Sequence, residues 1–267
     1  MIIRLASALL ALLLASCANH GFNTSQRTLA LLPADVILLG EQHDAPEHQR
    51  IEREVVEALA ARGVLAAVAI EMAEQGGSTA GLARDATEAQ VQTALRWSSA
   101  GWPWAAYGPA VMAAMRAGVP VLGANLPRSQ IPGAMADQRL DMQLSGPALK
   151  AQQQLIRIGH CGLLPENQIS PMTRIQVARD MAMAQTLIGA RQSGKTVLLI
   201  AGAGHVRREL GVPVHLPAGL TSKVLIAQAG QERDAINSGA DAVWETAALP
   251  PKDPCAELQR SMQAKPP

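Results

Sequence analysis

Thr196-Val-Leu-Leu-Ile-Ala-Gly202-Ala-Gly-His205 reads as a short run of branched apolar residues closed by Gly-x-x-His, and Asp35-Val-Ile-Leu-Leu-Gly40-Glu-Gln-His43 repeats the figure. Apolar runs without a polar face suit strands covered on both sides, as in a parallel sheet. Val68-Ala-Ile-Glu71, Val119-Pro-Val-Leu-Gly-Ala-Asn125 and Lys223-Val-Leu-Ile-Ala227 have the same character. Between them lie helical patterns. From Pro46 to Arg62, Ile51, Val55 and Leu59 recur every fourth residue, with Asp44 as the expected helix start. Residues 105–117, 145–158 and 170–192 read as further helices. Strands alternating with helices predict a three-layer α/β domain with a mostly parallel central sheet. The long stretches 79–115 and 127–192 are expected as helical insertions over the strand C-terminal ends.

In such a sheet, ligands sit beyond the carboxyl ends of the strands. The residues found there are Glu41 and His43, then Glu71, then Asn125 followed by Arg128, then His205. Two histidines beside a carboxylate are a set that binds a divalent metal or exchanges protons. The competing reading is that each imidazole satisfies the backbone of its own loop. Arg179 shares a helical stripe with Met172, Ile175, Met183 and Leu187. It is expected to pair with a carboxylate such as Glu71, or to receive a ligand anion. His48 is expected on solvated helix surface, and His160 and Cys161 at a helix end.

Two familiar patterns fail on context. Gly189-Ala-Arg-Gln-Ser-Gly194-Lys195-Thr196 fits a P-loop by letter, but a helical pattern precedes it and a strand follows, the reverse of what phosphate binding needs. Gly194 reads instead as a helix stop. Arg207 stands where a dinucleotide fingerprint after Gly202 needs its third glycine.

The formal net charge is +1 and no basic block occurs, which argues against nucleic acid. Residues 1–16, with Arg4, an apolar run and then Leu14-Ala-Ser-Cys17, resemble a bacterial lipoprotein signal peptide ending in a lipobox. Cleavage leaves Cys17 lipidated, and Ala18 rather than Asp behind it directs such proteins to the outer membrane, here on its periplasmic face. The expected organisation is signal peptide 1–16, lipidated Cys and tether 17–33, one α/β domain 34–249 and a flexible tail 250–267. Cys161 and Cys255 lie in a compartment that permits disulfides, and their pairing is left open.

The chain has four Trp, one Tyr and one Phe, and Trp97, Trp102, Trp104 and Tyr107 crowd into one stretch. Such a cluster either packs a helical roof on the sheet or offers flat apolar faces to a ligand.

LLGEQHDAPEHQRIE, AIEM, WPWAAYGP, ANLPR, HCGLLP, QVARDMAMAQ and LLIAGAGHVRRELGVPVHL, in this order behind a lipobox, resemble the ChaN-like haem-binding lipoprotein family, over residues 34–217. That family groups with Tiki, TraB and erythromycin-esterase-like proteins. The resemblance implies haem binding at the outer membrane in iron or haem uptake or storage, a tyrosine on the iron, and a homodimer with stacked haems. Tyr107, the sole tyrosine, is then the expected ligand, with Trp102 and Trp104 lining its pocket and His43 and His205 nearby. An outer-membrane haem receptor is the partner such a role calls for. The Tiki-type relatives imply the alternative, a metal-dependent hydrolase built on His43, His205 and Glu71, with Glu41, Asn125 and Arg179 in the polar site.

Overall fold

The computed structural model describes residues 24–231, 237 and 239–263. The signal segment 1–16 and Cys17 lie outside the described residues. A short helix α1 (Thr24–Leu29) leads into β1 (Val36–Glu41), α2 (Pro46–Ala61) and β2 (Leu65–Glu74). Helices α3 (Glu88–Ala94) and α4 (Trp104–Ala117) precede β3 (Val121–Asn125). Then come α5 (Ile131–Ala136), α6 (Gly146–Gly159), α7 (Glu166–Gly189) and β4 (Thr196–Gly202). Strands β5 (Ser222–Ala229) and β6 (Ala242–Thr246) and helix α8 (Pro254–Gln263) complete the chain.

The six strands lie in the order β3-β2-β4-β1-β5-β6 and every pairing is parallel. From β1 the chain runs towards β2 on one side, and from β4 it crosses over β1 to β5 on the other. The connections therefore diverge at β1 and β4, which opens a crevice at their carboxyl ends.

Alternation along the strands sorts their side chains between two cores. Ile37, Leu39, Leu198 and Ile200 pack with Val55 and Leu59 of α2 and Met112 of α4. Val36, Leu38, Val197 and Leu199 face the opposite layer with Met183 and Leu187 of α7. A smaller cluster, including Leu126, Leu140, Val177 and Ala182, seats the insertion after β3 on α7. Truncating any fully buried leucine here costs about 2–5 kcal/mol in lost transfer energy and residual cavity.

The expected three-layer fold is present, with differences at its margins. Strand β6 was not foreseen: Ala242–Thr246 is five residues long, and its Trp244 is buried with Arg27 stacked on the ring at 4.5 Å. The segment expected as tether contains α1, anchored by Thr24 Oγ1 donating to Glu54 Oε2 at 2.5 Å. The expected flexible tail contains α8, and Cys255 forms a disulfide with Cys161 in the turn between α6 and α7. Lys252 pairs with Asp44 at 2.7 Å, so this segment also touches the loop after β1. Asp44 is thereby occupied, and Ala45 stands at the start of α2 with no side-chain cap. Gly194 is not a helix stop. Helix α7 ends at Gly189, and Gly194, with φ 72°, turns the chain into β4. Among the described residues no helix is long and apolar enough to cross a membrane.

Candidate functional site

The two Gly-x-x-His loops converge. His43 follows β1, His205 follows β4, and Glu71 stands on β2 between them. Glu71 Oε1 lies 3.4 Å from His205 Nε2 and Glu71 Oε2 lies 3.8 Å from His43 Nε2. Glu71 Oε2 also accepts the Gly202 amide at 2.8 Å. Gly202 is a matter of space: a Cβ there would stand 2.8 Å from His43 Nε2. Gly40 likewise leaves room for Val206, whose Cγ2 a Cβ would meet at 2.5 Å.

Behind His205, Asp180 of α7 places Oδ1 2.5 Å from Nδ1. The imidazole is thus held between two buried carboxylates. Burial pushes His205 towards its neutral form, but the charges of Glu71 and Asp180 outweigh it and raise its pKa to about 10. Burial pushes Glu71 up, yet His205, His43 and the Gly202 amide together bring it down to about 2. Asp180 is raised to about 6, because its complete burial exceeds what His205 returns.

A second buried set lies behind His43. Its Nδ1 stands 2.7 Å from Glu41 Oε1, and the same oxygen accepts the Tyr107 hydroxyl at 2.9 Å. Burial lowers the His43 pKa, but the Glu41 hydrogen bond and the Glu71 charge reverse this, for a net rise. Glu41 Oε2 and both Glu52 oxygens have no ordinary donor. Burial, then the Glu41 charge, raises Glu52 well above the usual carboxylate range, which favours its neutral form beside Glu41.

The aromatic stretch divides. Tyr107 is 3% exposed and packs in the core with Trp97, while Trp97 Nε1 donates to Trp102 O at 2.9 Å. Trp104 donates to Glu88 at 2.7 Å and stacks edge-on against Trp97. Trp102 meets the His43 ring edge-on, centroids 4.8 Å apart.

Two cavities meet at His43, whose side chain is 39% exposed. One, of about 470 Å³, lies between the ends of β1, β4 and β5 and is lined by Gly202 to His205 and Gln228. The other, of about 630 Å³, lies towards β2 and β3 and is lined by Trp102, Asn125, Arg96, Arg128 and Arg179, with Glu71 at its base. Both are of a size that takes a cofactor.

Of the expected site residues, Glu41, His43, Glu71 and His205 are brought together, and Asn125 and Arg179 border the same hollow. Tyr107 is buried. Its hydroxyl donates to Glu41, and burial with that charge raises its pKa. Trp104 does not line either cavity, since Glu88 and Trp97 hold it. Arg179 makes no ion pair among the described residues, and its Nε is buried without a partner. His48 is fully buried, not solvated: its Nδ1 accepts the Gln42 amide at 2.9 Å and its Nε2 faces Thr246 Oγ1. As a metal site the set is poorly poised. Both nitrogens of His205 face carboxylates, and among the described residues no three His, Cys, Asp or Glu side chains are grouped to hold a metal ion.

Asp180 and Glu52 were missed from sequence. The signal existed: Thr173, Val177, Asp180, Ala184 and Leu187 form one buried stripe of α7, and His48, Glu52, Val55 and Leu59 one of α2. An acid at a core position of such a stripe needs a partner.

The family model described as haem-binding uptake, Tiki superfamily, ChaN matches residues 28–216. The solved structure of cofacial heme binding to ChaN of Campylobacter jejuni is 28% identical, covers 78% of this chain and 87% of that one, and superposes with a TM-score of 0.66. The type III effector HopBA1 shares the fold alone, at 16% identity and TM-score 0.50 over 86% of this chain and 95% of its own. No curated protein matches. With the family's pattern running through both Gly-x-x-His loops, Glu71 and α7, the chain belongs to the ChaN haem-binding uptake family of the Tiki superfamily.

Proposed function

We propose that this protein is an outer-membrane lipoprotein that holds haem on the periplasmic face for uptake or storage. The observation that carries the reading is the pairing of His43 with Trp102 beside the 630 Å³ cavity. A haem needs an axial base, apolar surface for the ring and cations for its propionates. Here His43 Nδ1 is tied to Glu41, the arrangement that orients an imidazole and leaves Nε2 to a metal. Trp102, Met72 and Ile131 supply apolar wall, and Arg96, Arg128 and Arg179 line the same cavity. The residues fit the cofactor, with His43 rather than the buried Tyr107 as the ligand. Bound haem supplies the iron centre that the protein carries; the chain's part is to bind, orient and shield it.

The lipobox ending at Cys17 supports anchoring in the outer membrane, the family's description as haem-binding uptake supports a role beside a haem receptor, and the cofacial haem binding of the Campylobacter relative supports pairing of two copies. The test has two arms. Full-length protein purified in mild detergent, titrated with hemin, is expected to give a Soret band that saturates at a fixed ratio. Cys17→Ser is expected to move the protein from the membrane fraction to the soluble periplasm. A Soret spectrum identical to hemin in detergent alone overturns haem carriage, and membrane retention of the Cys17 variant overturns the anchor.

A further inference from the structure

Three arginines line the cavity beside Trp102, two of them exposed at its rim and the third, Arg179, partly buried with no carboxylate paired to it among the described residues. Arg179 rises from α7 with Nε buried and unpartnered. Arg128, just past β3, has only a 3.7 Å approach to Glu74, and its side chain is 72% exposed. Arg96, exposed at the left-handed turn that ends α3, stands at the rim of the same hollow.

The charge balance favours an anion. Of the two carboxylates on the wall, Glu71 is committed to the His205 imidazolium and the Gly202 amide, and Glu74 is shared with Arg128. Arg179 and Arg96 are left in excess. A guanidinium presents paired N–H donors that match a carboxylate, and in a partly enclosed cavity such a bond is stronger than in water. The apolar side of the cavity, Trp102 with Leu126 and Ile131, then takes the body of a flat molecule.

We propose that this cavity is a carboxylate-recognition site for a flat, ring-shaped ligand, with Arg179 as the principal anchor and Arg96 and Arg128 as outer clamps. It deepens the haem reading above and rests on it for the identity of the ring, whose propionates would meet the arginines. The carboxylate chemistry stands apart from the iron, so the two are separable by experiment.

The probes are metal-free protoporphyrin IX, which keeps both propionates, and its dimethyl ester, which has lost their charge. Binding to the full-length protein in mild detergent is followed by porphyrin fluorescence, against a detergent blank. The acid is expected to bind at least tenfold tighter than the ester. Arg179→Gln is expected to weaken the acid at least tenfold, Arg96→Gln and Arg128→Gln about threefold each, and none to change the ester. Arg179→Lys, which keeps the charge but loses the fork, is expected to fall between. Circular dichroism and the melting temperature of each variant show whether it folds; if Arg179→Gln does not, the Arg96→Gln, Arg128→Gln pair carries the test. Equal affinity for acid and ester, or folded arginine variants that bind the acid like the parent, overturns the carboxylate site. Should hemin still give its ligated Soret band with those variants, the haem reading survives that failure. Should hemin show no ligation while the acid keeps its arginine dependence, the haem reading fails and the carboxylate site stands.

Discussion

Asp180 Oδ1 lies 2.5 Å from His205 Nδ1, and Glu71 Oε1 lies 3.4 Å from the Nε2 of the same ring. One imidazolium thus links α7 to β2 through the end of β4, inside a crevice that the strand order opens. The stability of the crevice depends on that charge.

The pH dependence follows from the shifts. Glu71 falls from 4.5 to about 2 on folding, so its contribution is present above 4.5 and lost as the pH drops towards 2. His205 rises from 6.5 to about 10, so its contribution is whole below 6.5 and lost as the pH climbs towards 10. Asp180, raised from 3.8 to about 6, opposes folding as it ionises. Melting temperatures are expected to be highest near about pH 4 to 4.5, falling below it as Glu71 takes a proton and above it first as Asp180 and then as His205 loses one. Glu71→Gln should lower stability near neutrality by about 3–5 kcal/mol and flatten the acid limb. A parent-like acid limb in that variant would assign the fall to other groups.

Gly202→Ala is a test of close packing. The new methyl would stand 2.8 Å from His43 Nε2, and the ring must turn away. A cost of about 1–3 kcal/mol is expected, together with a changed hemin spectrum. An unaltered spectrum in a folded variant would show that the ring's placement is not what hemin reads.

Glu52 is expected to behave as a neutral acid. Glu52→Gln, which still offers a donor towards Glu41, should cost within about 1 kcal/mol. Glu52→Ala should cost about 2–4 kcal/mol, since it leaves both a cavity and an undonated Glu41 oxygen. Equal losses by chemical denaturation would contradict a neutral Glu52.

The Cys161 to Cys255 bond closes a sequence separation of 94 residues and ties α8 to the turn between α6 and α7. Reduction, or Cys255→Ser, is expected to lower stability by about 2–4 kcal/mol. It should also make the chain after β6 the first site of proteolysis. Cleavage that starts elsewhere, with unchanged stability, would show that the tie adds nothing.

Much of this was legible in the residues. The parallel strands announced themselves because they are buried on both faces and carry unbroken runs such as Val197 to Ala201. The strand ends then placed Glu41, His43, Glu71 and His205 in one crevice, because open parallel sheets gather ligands there. What stayed hidden depended on contacts between distant segments. Strand β6 is short and is recognisable only by its partner β5. Tyr107 and Trp102 sit five residues apart in one aromatic stretch, yet the helix buries the first and leaves the second beside the cavity. Asp180 and Glu52 became meaningful once the helix faces carrying them were known to point at His205 and Glu41.

The most direct measurement is the absorption spectrum of hemin bound to the full-length protein, its His43→Ala variant and its Tyr107→Phe variant. Bands from an imidazole-ligated iron are predicted for the parent and for Tyr107→Phe, with loss of those bands in His43→Ala. The reverse pattern, with His43→Ala unchanged and Tyr107→Phe altered, would contradict His43 as the residue that holds the iron.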